Sequence, residues 1–323
     1  MRKIGEEMVS LGHEIEYMCC SSDNGSYDGL VIPGIRVALI DGTAPHVVDP
    51  KNPGAVDEIV NLGECWDESK MRDSKKEVLE ANRRVRRLFR IAYSQLREAG
   101  VIRDELKSYI TESMDFAGVN RLLCETAGLI FRGAPVQHNR VAGARRLFAS
   151  TISPEGVVHH LETLLQDVQR ILILRGSPGS GRSTFIARLA ETANIRGIDT
   201  EVFHCAFDPR EMDLLLIPAL KTAVLKEVSE IRFTAPEGLN QQTINLDGLS
   251  DPIIHSACGA EIAHARRRFD DALGRGARYI HEAKLMHDYM EGFYIPAMDF
   301  RAVEHKRTDV MSRILKYAEE ADV

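Results

Sequence analysis

The chain has 323 residues, 44% of them hydrophobic and 28% charged, with a formal net charge of −7; this balance suits globular folding and excludes a disordered or collagen-like chain. No apolar run reaches the roughly 20 residues of a membrane-spanning helix, and the acidic balance argues against nucleic acid as a partner. The length allows two domains with cores of their own, and six cysteines without a signal peptide's apolar core read as reduced thiols in a cytoplasm.

In chain order, Arg2 to Met8 reads as part of a helix, and Glu16 to Asp23 and Val37 to Ile40 as short strands. The second of these ends at Asp41. A carboxylate at a strand end is what holds Mg²⁺ beside a phosphate loop, so Asp41 is a Walker B-like metal candidate of the first half. From Asp67 to Glu98, Leu88, Ile91 and Leu96 recur among many charges, including Arg83-Arg84-Val85-Arg86-Arg87; this predicts a long solvated helix. Arg132 to Gly143 is rich in Gly, Pro and polar residues and reads as a linker, dividing the chain into 1–132 and 145–323 with 133–144 between them. Arg145 to Thr151 then reads as a strand, and Ser153-Pro154-Glu155 as the cap and first turn of a helix running towards Asp167.

Gln169 to Arg175 has the β-branched, apolar composition of a buried parallel strand. Directly after it comes Gly176-Ser177-Pro178-Gly179-Ser180-Gly181-Arg182-Ser183-Thr184, with the spacing of a phosphate-binding P-loop. Phe185, Ile186, Leu189 and Ala193 repeat at helical spacing up to a stop at Arg196-Gly197, and Thr200 to Phe207 is the next strand, completing a βαβ unit. In such a loop the glycines let successive N–H groups face a phosphate, the helix N-terminus adds positive potential, and Ser183 ligates Mg²⁺. The lysine that normally reaches the β- and γ-phosphates is replaced by Arg182. Arginine keeps the charge, but its planar, longer side chain does not fill an ammonium's niche, so hydrolysis should suffer more than binding.

Asp208, after the second strand, is the acid expected to serve catalysis with Arg182 and to hold Mg²⁺ with Ser183; Asp213 is a second candidate. Capping of a turn or helix is the competing reading for these acids, and Asp208-Pro209 suits it. Arg266-Arg267-Arg268 would supply a lid's arginines to the γ-phosphate or form a solvated face. Cys19-Cys20 and His204-Cys205 lack the spacing of a zinc site. Glu227 to Pro252 is the least regular stretch and reads as a loop.

The two halves repeat each other. In one register Gly12 meets Gly197, Glu16 to Asp23 meets Glu201 to Asp208, Asp28 meets Asp213, Ile32-Pro33 meets Ile217-Pro218, and Ala38 meets Ala223. After a short insertion Thr43-Ala44-Pro45 meets Thr234-Ala235-Pro236, and Met114-Asp115-Phe116 meets Met298-Asp299-Phe300. The same register puts Lys226 where the first half has Asp41, and places the first copy's loop immediately before Met1, so the first unit is expected to be incomplete at its N-terminus.

Cys20-Ser21-Ser22-Asp23-Asn24, Asp28-Gly29-Leu30-Val31-Ile32-Pro33, Asp41 to Pro50, and Arg146-Leu147-Phe148-Ala149-Ser150 resemble an uncharacterised bacterial family of tandem P-loop ATPases. The resemblance implies an α/β fold of two P-loop NTPase-like units, with mainly parallel sheets and helices on both faces. It also implies ATP as ligand, with Mg²⁺, and no known substrate. Taken together these readings predict an ATP-binding protein with weak hydrolysis. A P-loop kinase with a small-molecule acceptor and a non-catalytic nucleotide- or partner-binding module remain open.

Overall fold

The computed structural model describes residues 1–43, 47–134, 136, 140–228 and 238–321. Most of the Thr-Ala-Pro pair (44–45 and 234–236) and part of the expected linker (135 and 137–139) lie outside these residues. The first half runs α1 (Arg2–Ser10), β1 (Glu16–Cys19), β2 (Tyr27–Ile32), β3 (Val37–Ile40), α2 (Glu68–Asp73), α3 (Lys75–Thr111) and α4 (Phe116–Ile130). Next come β4 (Ala144–Phe148), β5 (Ser150–Ser153), β6 (Gly156–His159), α5 (Leu161–Leu164), β7 (Arg170–Arg175) and α6 (Arg182–Ile195). The chain continues through β8 (Thr200–His204), β9 (Met212–Ile217), β10 (Thr222–Lys226), β11 (Asn240–Asn245), α7 (Pro252–Ala257), α8 (Gly259–Tyr294) and α9 (Phe300–Ala321). It folds into two compact units, one of Met1–Phe89 with Ile280–Val323 and one of Arg90–Tyr279.

The Arg90–Tyr279 unit is built on a six-stranded sheet in the order β11-β7-β10-β9-β8-β4. Pairings of β7 with β10 and β11, and of β4 with β8, are parallel; β9 runs antiparallel between β10 and β8. Strand alternation sends Leu172, Leu174, Val202, Leu215, Ile217 and Val224 to one face, against Phe185, Ile186 and Leu189 of α6 and Val119 and Ile130 of α4. The other face carries Ile171, Ile173, Phe203, Leu214, Leu216 and Leu225, covered by Leu161 and Leu165. Burial on both faces is why these strands read as nearly continuous apolar runs. Alongside, Ala99, Ile102 and Leu106 of α3 meet Ala265, Phe269 and Ala272 of α8.

In the other unit, β1, β2 and β3 form an antiparallel meander. Its core joins Ile4 and Met8 of α1, Leu30 and Ile32 of β2, and Val310, Met311, Ile314 and Ala318 of α9.

The sequence repeat is also a structural one. A pairing irregularity falls between Met18 and Cys19 in β1 and between Phe203 and His204 in β8, at matched positions. Single turns Pro33–Ile35 and Pro218–Leu220 follow β2 and β9, and end at Arg36 and Lys221. Among the described residues these are the two non-glycine positions of positive φ, at 58° and 45°. Such a conformation is costly for a side chain bearing Cβ, so its recurrence in register is a strong mark of common backbone geometry.

The compact units cut across the expected division at 133–144, because each half lends its last helix to the other unit. α4 belongs to the first half but is buried in the sheet core of the Arg90–Tyr279 unit. α9 belongs to the second half and covers the β1–β3 meander. Matched bonds prepare each helix: Asp115 N–H donates to Leu249 O and Asp299 N–H to Cys65 O, both at 2.8 Å. The side chains of Asp115 and Asp299 then cap the first turns, accepting from Gly118 N at 2.9 Å and Arg301 N at 2.9 Å.

Three local expectations change. β8 is separated from β7 by β10 and β9, so the anticipated neighbouring βαβ pair does not form. Ser153-Pro154-Glu155 makes the turn of the β5–β6 hairpin, with Ser153 Oγ accepting from Glu155 N at 3.1 Å and Gly156 at φ 94°; Thr151, Ile152, Val157 and Val158 on either side favour strands over a helix. Within the expected loop 227–252, Asn240–Asn245 adds an edge strand whose polar sequence buries Ile244 alone. Among the described residues no helix is long and apolar enough to cross a membrane.

Since Ile314 on α9 is 3% exposed in the β1–β3 core, Ile314→Ala is expected to cost about 2–5 kcal/mol. Hydrogen exchange of the variant should show lost protection in α1 and β1–β3 and unchanged protection in β7 and β10; the reverse pattern would refute the placement of α9.

Candidate functional site

β7 and β10 are parallel, with Lys226 opposite Leu174, so their C-terminal ends open on the same side of the sheet, where ligands of open α/β sheets bind. The loop 176–181 leaves β7 there and α6 begins at Arg182. At Gly179, φ is 97° and a Cβ would lie 2.5 Å from the Lys107 carbonyl oxygen; at Gly176, φ is 151° and a Cβ would lie 2.6 Å from Ser180 Oγ. Glycine alone fits both places. Asp247, just beyond β11, fastens the start of the loop by accepting from Ser177 N at 2.7 Å and from the Ser177 hydroxyl at 3.1 Å.

The bond from Phe185 N to Gly181 O, at 2.9 Å, opens the ladder of α6. The N–H groups of Arg182, Ser183 and Thr184 therefore have no acceptor within the helix, and Gly181 at the cap offers no side chain to take them. These residues line a cavity of about 960 Å³, whose wall carries six basic side chains (Arg103, Lys107, Arg175, Arg182, Lys226, Arg266) against four acidic ones (Glu211, Asp213, Glu227, Asp247). Helix N-terminus and excess base act in the same direction, towards an anion.

The centre of the charge cluster is Glu211. It accepts from Arg103, from Lys107 at 2.5 Å and from Lys226 at 3.2 Å. Burial works to raise its pKa, but Lys226, Arg103 and Lys107 outweigh burial and hold the carboxyl at about 2. Lys226 is 3% exposed; its ammonium also pairs with Asp213 and donates to Ser183 Oγ at 3.2 Å. Ser183 in turn donates towards Glu211 Oε2 at 3.3 Å or the Met212 carbonyl at 3.2 Å. Arg182, 8% exposed, donates to the backbone oxygen of Glu227 just past β10, and burial pushes its pKa down.

No protein-family model, curated protein or solved structure matches this chain.

The structure brings Gly176, Ser177, Pro178, Gly179, Gly181, Arg182, Ser183 and Thr184 to one cavity wall, with Ser180 fully buried behind them. Among the described residues Ser180 Oγ has no hydrogen-bond partner. Asp208 is not on that wall: it accepts from Arg210 N at 3.1 Å and from the Arg210 guanidinium at 2.9 Å, which holds its pKa at about 2. Its role is that of a turn cap, and Glu211 and Asp213 stand where it was expected. Asp41 ends β3 in the other unit, where its side chain accepts from Thr43 N at 2.9 Å. Of the arginine cluster on α8, Arg266 lines the cavity and Arg268 pairs with Glu105 at 2.9 Å. Sequence reasoning missed Arg103, Lys107, Glu211 and Asp247. The i, i+4 spacing of Arg103 and Lys107 on one helix face was the available signal.

The residues present do not suit Mg²⁺. A divalent ion ligated by Ser183 Oγ at the usual ~2.1 Å would stand within about 5 Å of the Lys226 ammonium, a repulsion of about 7 kcal/mol at an effective dielectric of ~20. The carboxylates beside Lys226 are already paired, Glu211 with three cations and Asp213 with Lys226.

The depressed pKa of Glu211 fixes a pH dependence. Its folded value of about 2 lies below its ordinary 4.5, so its contribution is fully present above pH 4.5 and is lost as pH falls towards 2, in all about 3 kcal/mol. Urea denaturation should therefore show the stability gap between wild type and Glu211→Gln closing by about that amount over this range. A gap independent of pH would mean that the three cations do not act on Glu211.

Proposed function

We propose that the Arg90–Tyr279 unit binds the phosphates of a nucleoside triphosphate and turns it over slowly or not at all; ATP as the nucleotide rests on the family resemblance. What carries the binding reading is the loop 176–181 with the N–H groups of Arg182, Ser183 and Thr184, which have no acceptor among the described residues, opening on a 960 Å³ cavity with a basic surplus. The reading of poor turnover rests on the engagement of every carboxylate on that wall among the described residues. Glu211 and Asp213 are paired with bases, Glu227 with Arg175 at 2.9 Å, and Asp247 with Ser177. Before a phosphate enters, none is free to orient a water for attack, and Arg182 spends its guanidinium on the Glu227 carbonyl rather than reaching over the loop. A P-loop kinase with a small acceptor is the second reading, favoured by Arg266 on the cavity wall.

Calorimetry should give ATP binding in the micromolar range, about −8 kcal/mol, with phosphate release at or below about 10⁻³ s⁻¹, the range of P-loop proteins that lack a catalytic arginine. Gly179→Val, which places atoms against the Lys107 carbonyl, should abolish that binding. Retained affinity in this variant would refute the loop as the phosphate site; turnover near 1 s⁻¹ would refute the impaired-hydrolysis reading, and a phosphorylated small molecule would establish the kinase.

A further inference from the structure

We propose that Lys226 replaces the divalent cation of this site, so that the nucleotide's phosphates are neutralised by a fixed ammonium and bind without Mg²⁺; the inference rests on the nucleotide-binding reading above.

Three observations converge on it. Lys226 ends the strand adjacent to β7, and its Nζ lies 3.2 Å from Ser183 Oγ, the hydroxyl that would otherwise ligate the metal. Its side chain is 3% exposed and pinned by Asp213, itself 5% exposed, on the neighbouring strand. The ammonium is therefore part of the wall rather than a surface charge that swings aside. Finally, the repeat supplies an internal control: at the same strand end the first half carries Asp41, the residue type that serves a divalent ion.

The same geometry indicates what the incoming phosphate displaces. Glu211 gathers Arg103, Lys107, Lys226 and Ser183 around one carboxylate, the donor set that a phosphate group takes. Its side chain is 18% exposed on the cavity wall, whereas Asp213 lies beneath. A phosphate entering from the cavity competes with Glu211 and leaves Asp213 in place to hold Lys226. Arg103, Lys107 and Lys226 then face the phosphate from fixed positions, where a bound divalent ion would otherwise supply the positive charge.

The test titrates the full-length protein calorimetrically with ATP, and separately with inorganic pyrophosphate, in excess EDTA and in excess MgCl₂. Wild-type affinity is expected to agree within about threefold between the two conditions. Lys226→Met, which keeps the length and removes the charge, should lose at least about tenfold in EDTA; Glu211→Gln, which removes the competing anion, should gain about as much. Thermal unfolding of both variants confirms that they are folded, and the opposite signs expected for two neighbouring residues separate this role from general destabilisation. Wild-type binding only with Mg²⁺ overturns the inference and leaves the nucleotide-binding reading standing. Unchanged EDTA affinity in Lys226→Met, or weaker affinity in Glu211→Gln, overturns it likewise. Absence of binding in both conditions overturns both readings.

Discussion

A lysine buried at the end of a central strand constrains much of the Arg90–Tyr279 unit. Taking an ammonium out of water costs several kcal/mol unless partners surround it, and Lys226 finds three in Asp213, Glu211 and Ser183. Two of these depend on the β9–β10 hairpin. Its antiparallel register pairs Leu214 with Leu225, which brings Asp213 beside Lys226 at the next step. Placing β9 there is also what separates β8 from β7, so the sheet order and the charge pair are two aspects of one arrangement. Glu211 extends the cluster outward to Arg103 and Lys107 on α3, and that helix brings the Lys107 carbonyl against Gly179 of the loop. Loop, hairpin and helix are tied through one set of charges.

The repeat gives this cluster its meaning. Both halves keep the same irregularity in the first strand of the hairpin, the same single turn and the same left-handed residue before the next strand. Both also keep the Met-Asp-Phe step that launches the closing helix, and each uses that helix to cover the other half's strands. Such an exchange buries apolar surface on both sides, at about 2 kcal/mol for each large side chain, and makes each half dependent on the other for a complete core. Against this shared backbone, the change from Asp41 to Lys226 at the strand end is a change of chemistry alone, an acid in one copy and a base in the other.

What was legible in the sequence was local. The strand–loop–helix of 170–195 carried its own signals: an apolar run, the glycine spacing, and helical repetition up to a glycine that turns at φ 73°. The repeat was legible because identities held one register. Pairing over distance was not. Nothing in the composition of α4 or α9 says which sheet each will cover, because an amphipathic face fits either core equally well in sequence terms. The Ser-Pro-Glu segment is ambiguous for another reason, since the same residues cap a helix or turn a hairpin, and the β-branched pairs around it decide the outcome. Sequence order sets Asp208 at the strand end and gives Glu211 no signal of its own, whereas the turn that Asp208 makes with Arg210 delivers Glu211 to the cavity.

The arrangement bears on why a loop of this type would bind more readily than it reacts. Acceleration requires contacts that strengthen only as the transition state forms. Here two of the cations are held by groups that a phosphate does not displace: Arg182 by the Glu227 carbonyl and Lys226 by Asp213. On the proposed nucleotide-binding reading, charges fixed in this way would meet the ground-state phosphates and the transferring phosphoryl group alike, which amounts to uniform binding. Differential stabilisation would need a cation free to follow the γ-phosphate, as a P-loop lysine or a metal with exchangeable waters does. Restoring lysine at position 182 alone would not supply it, since the ammonium of Lys226 would still stand beside Ser183 where the metal has to bind. Both positions would have to change for this loop to acquire the chemistry that its glycines advertise.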